Sequence, residues 1–239
     1  MIHNKWLRSA GRWLRNRIPI GGRLSYAQEG EDLVLARLFE AEAGPGFFVD
    51  IGAHHPVRYS NTYYFYRRGW TGLNVDALPG TAKLFRRMRP KDITVECGIG
   101  AKDGFLTYFE FNDPALNTFS AQEAERKNCP PYHIVKTVQL PVMTLEKLLD
   151  QQLPRGKAID FMSVDTEGLD HEVIASNDWD RYRPKVVLVE LLNTRIADLP
   201  SNPAAKLMHE YRYQLCAKTC NTFFFVANEA ASQWSVSLA

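Results

Sequence analysis

Four carboxylates and one histidine pair in this 239-residue chain stand where short apolar runs give way to loops. Asp50 lies in Phe47-Phe48-Val49-Asp50-Ile51, which Gly52 and Ala53 follow, and Asp76 closes Gly72-Leu73-Asn74-Val75-Asp76. Asp165 and Glu190 end two further runs, Ile159 to Val164 and Val186 to Val189. In an open parallel sheet, ligands bind outside the carboxyl ends of the strands, and an acid ending the second strand accepts the hydroxyls of an adenosine ribose. A glycine ending the first strand lets a ligand approach the backbone. Asp165 and Glu190 would face the same crevice. They suit three roles: a Mg²⁺ site that lowers the pKa of an acceptor hydroxyl, with Glu167 or Asn193 assisting; a general base at Asp165; or plain structure, with Asp165 capping a helix through Gly168 and Glu190 paired with Arg195. His54 and His55 are base candidates because imidazole titrates near neutrality, and equally a means of shaping the loop before Pro56.

These residues need strands that end together. The runs at 47–51, 72–76, 93–97, 159–164 and 186–189 read as buried parallel strands. Helical patterns at 60–68, 79–89, 143–151 and 168–176 alternate with them, which predicts a mostly parallel sheet with helices on both faces. Phe105–Phe111 and Val135–Leu140 read as added strands, and Tyr211–Ala217 with Thr222–Ala227 as a closing hairpin. Ser25 is the expected N-cap of a helix over 25–43, with Gln28 completing a capping box. Tyr63 to Tyr66 read mainly as core. Residues 112–134 are the least regular part and are expected to form a lid or acceptor loop.

The phosphate cradle of a dinucleotide or triphosphate site is missing. Gly52 is followed by Ala53-His54-His55-Pro56 rather than by spaced glycines, and no Gly-x-x-x-x-Gly-Lys-[Ser/Thr] occurs. S-adenosylmethionine carries adenosine but no phosphate and suits these residues better than NAD or ATP.

Ser25-Tyr26-Ala27-Gln28-Glu29-Gly30-Glu31-Asp32, Phe48-Val49-Asp50-Ile51-Gly52-Ala53-His54-His55-Pro56, Ser60-Asn61-Thr62-Tyr63, Gly69-Trp70-Thr71-Gly72 and Asp165-Thr166-Glu167-Gly168 resemble FkbM-type S-adenosylmethionine-dependent methyltransferases over roughly residues 25–192. The resemblance implies an α/β, Rossmann-like class I methyltransferase fold with a seven-stranded, mostly parallel sheet. It implies O-methylation of a hydroxyl on a sugar, glycan precursor or secondary metabolite. By the same resemblance Asp50, Gly52 and Ala53 line the cofactor's methionine end, and Asp50 should meet its amino group. Asp76 and Ala77 hold the ribose, Gly98 and Ile99 border the adenine, and Gln28 and Glu31 fold over the cofactor. His54 stands where many methyltransferases carry a second glycine.

Composition bounds the rivals. Hydrophobic residues make up 45% and charged residues 23%, the balance of a globular chain. No run of about 18 apolar residues occurs. Residues 1–28 carry six basic residues and no acid, so 1–24 is expected to be a basic amphipathic arm before a methyltransferase domain at 25–239. The arm could touch an anionic membrane surface through 1–23 or pack on its own domain or on a second subunit. The remaining chain is mildly acidic, which disfavours nucleic acid as a partner. No Asn-Pro-Pro-[Tyr/Phe/Trp] occurs; Cys129-Pro130-Pro131-Tyr132 has Cys in place of Asn. The four cysteines show no metal spacing and read as reduced thiols of a cytoplasmic protein. An NAD-linked oxidoreductase and a non-catalytic, membrane-docked binding protein are the competing readings.

Overall fold

A computed structural model describes residues 22–231. The elements in chain order are α1 (Glu31–Leu38), β1 (Phe47–Ile51), α2 (Tyr63–Tyr66), β2 (Thr71–Asp76), α3 (Thr81–Met88), β3 (Ile93–Glu96), β4 (Gly98–Ile99) and β5 (Gly104–Phe111). Then come α4 (Ala121–Lys127), β6 (Ile134–Met143), α5 (Leu145–Gln152), β7 (Phe161–Val164), α6 (Asp170–Ala175) and β8 (Val186–Glu190). Finally α7 (Pro203–Glu210), β9 (Tyr213–Lys218), β10 (Thr222–Ala227) and α8 (Asn228–Ala231) are the last elements among the described residues.

The main sheet runs β3-β2-β1-β7-β8-β10-β9, with β10 alone running against the other strands. This is the seven-stranded Rossmann-like arrangement expected. The order reverses between β1 and β7, where Asp50 pairs with Ser163 and Ile51 with Val164. β1, β7 and the first four residues of β8 are buried along their length, which is why they read as continuous apolar runs. One face of the sheet packs Leu35, Phe48, Phe65, Trp70 and Phe161 under α1 and α2. The other packs Val49, Leu73, Leu145, Leu148 and Met162 under α5. A second sheet, β4-β6-β5, stands beside the main one and carries the 112–134 segment between β5 and β6.

Several local expectations change. Ser25 does not cap a helix: its hydroxyl donates to Asp32 at 2.6 Å, and α1 starts later, at Glu31 behind a left-handed Gly30. The 112–134 segment is more regular than its sequence suggests, with α4 capped by Ser120, whose side chain accepts from Glu123. The hairpin β9–β10 forms as expected. The basic amphipathic arm expected over 1–24 lies, but for residues 22–24, outside the described residues.

Gly52 has a φ of 85°, and a Cβ there would sit 1.7 Å from the Asp165 carbonyl oxygen. The glycine is thus required by the packing of the two central strand ends. Gly52→Ala is expected to cost about 2–5 kcal/mol, combining left-handed strain with overpacking. Urea unfolding measures it; a loss below about 1 kcal/mol would mean the Asp165 loop yields easily.

Candidate active site

One large cleft opens at the carboxyl ends of the strands, with a volume of about 1000 Å³ including its mouth. Gly52 and His54 line it from β1, Asp76 and Ala77 from β2, and Cys97, Gly98 and Ile99 from the β3–β4 junction. Asp165, Thr166 and Glu167 come from the end of β7 and Glu190 from the end of β8. Gln28 and Glu31 reach it from the loop before α1 and from its first residue. Ten of the thirteen residues expected at the site therefore share one cavity.

Asp76 sits at the end of β2 and accepts backbone N–H groups from His54 and Leu78, each at 2.8 Å. Oδ1 also accepts the Thr81 hydroxyl at 3.5 Å, while Oδ2 accepts the His54 N–H and keeps a second lone pair for a further donor. Burial raises its pKa against these stabilising hydrogen bonds. The contact with the His54 N–H also fixes the turn after β1, where His54 is left-handed at φ 48°.

The opposite wall is a carboxylate cluster. Oxygens of Asp165, Glu167 and Glu190 lie within 4.8 Å of one another. Asp165 Oδ1 and Glu190 Oε2 are buried and have no hydrogen-bond partner. Burial first, and then the charge of Glu167, push Glu190 up to about 8. Burial and the charge of Glu190 raise Asp165 well above the usual carboxylate range. A proton shared between them, or a cation, relieves this repulsion. Glu167 is braced separately: Lys127 Nζ from α4 contacts its carboxylate, and Thr118 donates to its carbonyl at 2.8 Å.

Neither structural role considered for the pair occurs. Asp170, not Asp165, holds the following turn, accepting from the Thr166 N–H and hydroxyl at 2.9 and 3.0 Å. Arg195 pairs with Asp198 at 2.6 Å, not with Glu190. Asn193 is outside the lining of the cleft.

Three expected site residues are elsewhere. Asp50 is buried beneath the cleft and accepts the Thr62 hydroxyl at 2.8 Å, because alternation along β1 turns it toward the α2 side with Phe48. Ala53 is also buried and its N–H donates to Val75 at 3.0 Å. His55 accepts the N–H groups of Val57 and Arg58 at its Nδ1, at 3.0 and 2.9 Å, which spends that nitrogen on the loop. His54 alone of the pair lines the cleft, with its pKa lowered by burial and by Arg58.

Asp50 provides a test of this placement. Burial lifts its pKa to about 6. A folded pKa above the unfolded one means stability from this group is greatest at low pH and is lost as pH rises from about 4 through about 6. Asp50→Asn is expected to match the parent near pH 4 and to exceed it by up to about 3 kcal/mol above pH 6 in chemical unfolding. A variant less stable at both pH values would show that the ionised carboxylate is needed.

Sequence patterns did not disclose several contributors. Glu29 ties the entry loop to the β9–β10 turn, accepting the Asn221 N–H at 2.9 Å, and Glu31 accepts the Thr219 hydroxyl at 2.7 Å. Tyr59, Tyr108, Phe119 and Thr222 also line the cleft. Three of the non-glycine residues with positive φ, namely His54, Tyr59 and Glu167, do so too, concentrating backbone strain at the site.

The sequence matches the methyltransferase FkbM domain over residues 50–215. No curated protein matches it. Among solved structures it is similar to a precorrin-6y C5,15-methyltransferase of Geobacter metallireducens GS-15, at 13% identity over 86% of this chain and 91% of that one, with a TM-score of 0.43. It is similar to an O-methyltransferase of Bacillus cereus in complex with SAH, at 10% identity over 92% and 90%, also with a TM-score of 0.43. A TehB-like SAM-dependent methyltransferase of Corynebacterium glutamicum ATCC 13032 gives 13% identity over 92% and 97%, with a TM-score of 0.38. The domain match spans more than half of the chain and takes in the strand ends that build the cleft: the chain belongs to the FkbM methyltransferase domain family.

Proposed function

We propose that this chain is an S-adenosylmethionine-dependent O-methyltransferase acting on a hydroxyl of a sugar, glycan precursor or secondary metabolite. The observation that carries the reading is the pairing, in one cleft, of Asp76 at the end of β2 with the unpartnered oxygens of Asp165 and Glu190 across from it. The donor set fits the cofactor: Asp76 keeps a lone pair on Oδ2 for a ribose hydroxyl, and the chain after Gly52 lacks the spaced glycines that a phosphate would need. Asp76 and Ala77 would hold the ribose, Gly98 and Ile99 the adenine, and Gly52 and Gln28 the amino-acid end.

When bound, S-adenosylmethionine supplies an electrophilic methyl group. The chain's own work is to align an acceptor hydroxyl and to take its proton. The Asp165–Glu190 pair is the acceptor-side base in this reading, since its raised pKa makes it a stronger base than an ordinary carboxylate. His54 is the alternative base. A second reading places Mg²⁺ among Asp165, Glu167 and Glu190, favoured by two buried carboxylate oxygens left without donors. The cation would bind the acceptor oxygen and lower its pKa.

Calorimetric titration with S-adenosylmethionine and S-adenosylhomocysteine, with and without Mg²⁺, tests both. Binding of neither ligand by folded protein overturns the assignment and revives the oxidoreductase and binding-protein readings. Asp76→Ala is expected to weaken cofactor binding by about 1.5–3 kcal/mol, the range for a hydrogen bond to a charged group. Unchanged affinity would remove Asp76 from the ribose site. Chelation that leaves turnover intact would dismiss Mg²⁺.

A further inference from the structure

Positive charge is gathered in one stretch of the sequence. Between residues 52 and 91 eight arginines and lysines stand against a single acid, Asp76, which is spent in the cleft. The rest of the chain from residue 92 onward is acidic on balance, so the clustering is local.

α3 carries the densest part. Thr81, Ala82 and Phe85 form its buried side. Lys83, Arg86 and Arg87 project outward, and Lys91 follows the helix, all exposed. No ion pair engages any of these four among the described residues. Leu84 and Met88, one turn apart, are 36% and 42% exposed beside the basic stripe. An apolar edge flanked by unpaired cations is the surface chemistry of a segment that sits at a charged lipid interface.

The N-terminal sequence is basic as well. Residues 1–21 carry Lys5, Arg8, Arg12, Arg15 and Arg17 and no acid. Among the described residues, Tyr26 packs beside α2: it meets Tyr63 edge-on at 4.7 Å, and Arg67 donates to the Tyr26 hydroxyl. α2 and α3 pack around one buried group, the Arg89 guanidinium, which lies 5.1 Å from the Tyr66 ring and 5.4 Å from the Phe85 ring.

We propose that the outward face of α3, with Lys83, Arg86, Arg87 and Lys91 around Leu84 and Met88, docks the domain on an anionic phospholipid bilayer. Charge complementarity selects the occupant, and the apolar pair favours a bilayer over a soluble polyanion. None of the six residues lines the cleft, so docking leaves the methyl-transfer site free.

The test is co-sedimentation of the full chain with vesicles of phosphatidylcholine, alone or with about 30 mol % phosphatidylglycerol, at about 0.1 M salt. Binding is expected only to the anionic vesicles. The combined Lys83→Gln, Arg86→Gln, Arg87→Gln, Lys91→Gln variant is expected to lose about 100-fold or more in partitioning, with its thermal unfolding midpoint unchanged. Leu84→Gln with Met88→Gln should lose about 10-fold. Equal binding to neutral vesicles overturns the proposal, as does parent-like partitioning of the four-site variant. Indifference to the Leu84/Met88 change, together with competition by a short DNA duplex, would assign the face to a nucleic acid instead and likewise overturn it.

Discussion

Replacing Asp165 by Asn is expected to lower turnover by about 10²–10⁴-fold while leaving S-adenosylmethionine affinity unchanged. The carboxylate is the inner member of the pair: its Oδ1 is buried without a donor, and its backbone N–H is already fixed on Ile51 at 3.0 Å. The substitution removes charge while the strand end that shapes the cofactor side keeps its hydrogen bonds. Glu190→Gln should act in the same direction, because either change destroys the shared titration. The pH profile adds a signature. A base must be ionised, so turnover without metal should rise as pH increases through about 8, where Glu190 loses its proton. Glu167→Gln removes the neighbouring charge that helps hold Glu190 up, so that variant's activity should reach its plateau at lower pH. Retained activity with an unaltered profile would transfer the base role to His54.

The strand ends that build this cleft are legible in the sequence because burial on both faces leaves an uninterrupted apolar run. Phe47–Val49 and Val186–Val189 are such runs, and the residues that close their strands must lie at one edge of the sheet. Asp76, Asp165 and Glu190 follow from that alone. Asp50 does not, because it lies one position inside the strand end and the period of two points it at α2. The helix α7 also escapes a reading by periodicity, although Asn202 and Pro203 are a capping residue and a first-turn proline. The remaining site contacts are long-range. Glu29 meets Asn221 across 192 residues, and Lys127 meets Glu167 from a segment whose polar composition suggests only a loop. No local pattern encodes such pairs; they exist because the sheet order brings the β9–β10 turn and the β5–β6 insertion to the same rim.

Arg89→Met is expected to destabilise the domain by about 3–5 kcal/mol, the cost of leaving a buried charge without its partner. Arg89 is fully buried, and its Nε donates to Asp92 at 2.7 Å. Its Nη1 donates to the Thr62 hydroxyl at 3.0 Å, and through Thr62 the network reaches Asp50. Asp92 in turn accepts the Gly72 N–H at 3.0 Å and the Asn74 side-chain amide at 3.1 Å. The ion pair therefore joins β2 to the loop that delivers His54, Tyr59 and Asn61 to the cleft. With methionine in place the apolar contacts to Phe48 and Phe85 persist in part, while Asp92 keeps a charge that burial already disfavours. Adding Asp92→Asn removes that charge, so the double variant should recover at least about 1 kcal/mol relative to Arg89→Met alone. Urea unfolding of the two single variants and the double measures the coupling. Additive losses would mean that the pair acts through packing, and the loop after β1 would then owe its position to the Asp76 contact with the His54 N–H instead.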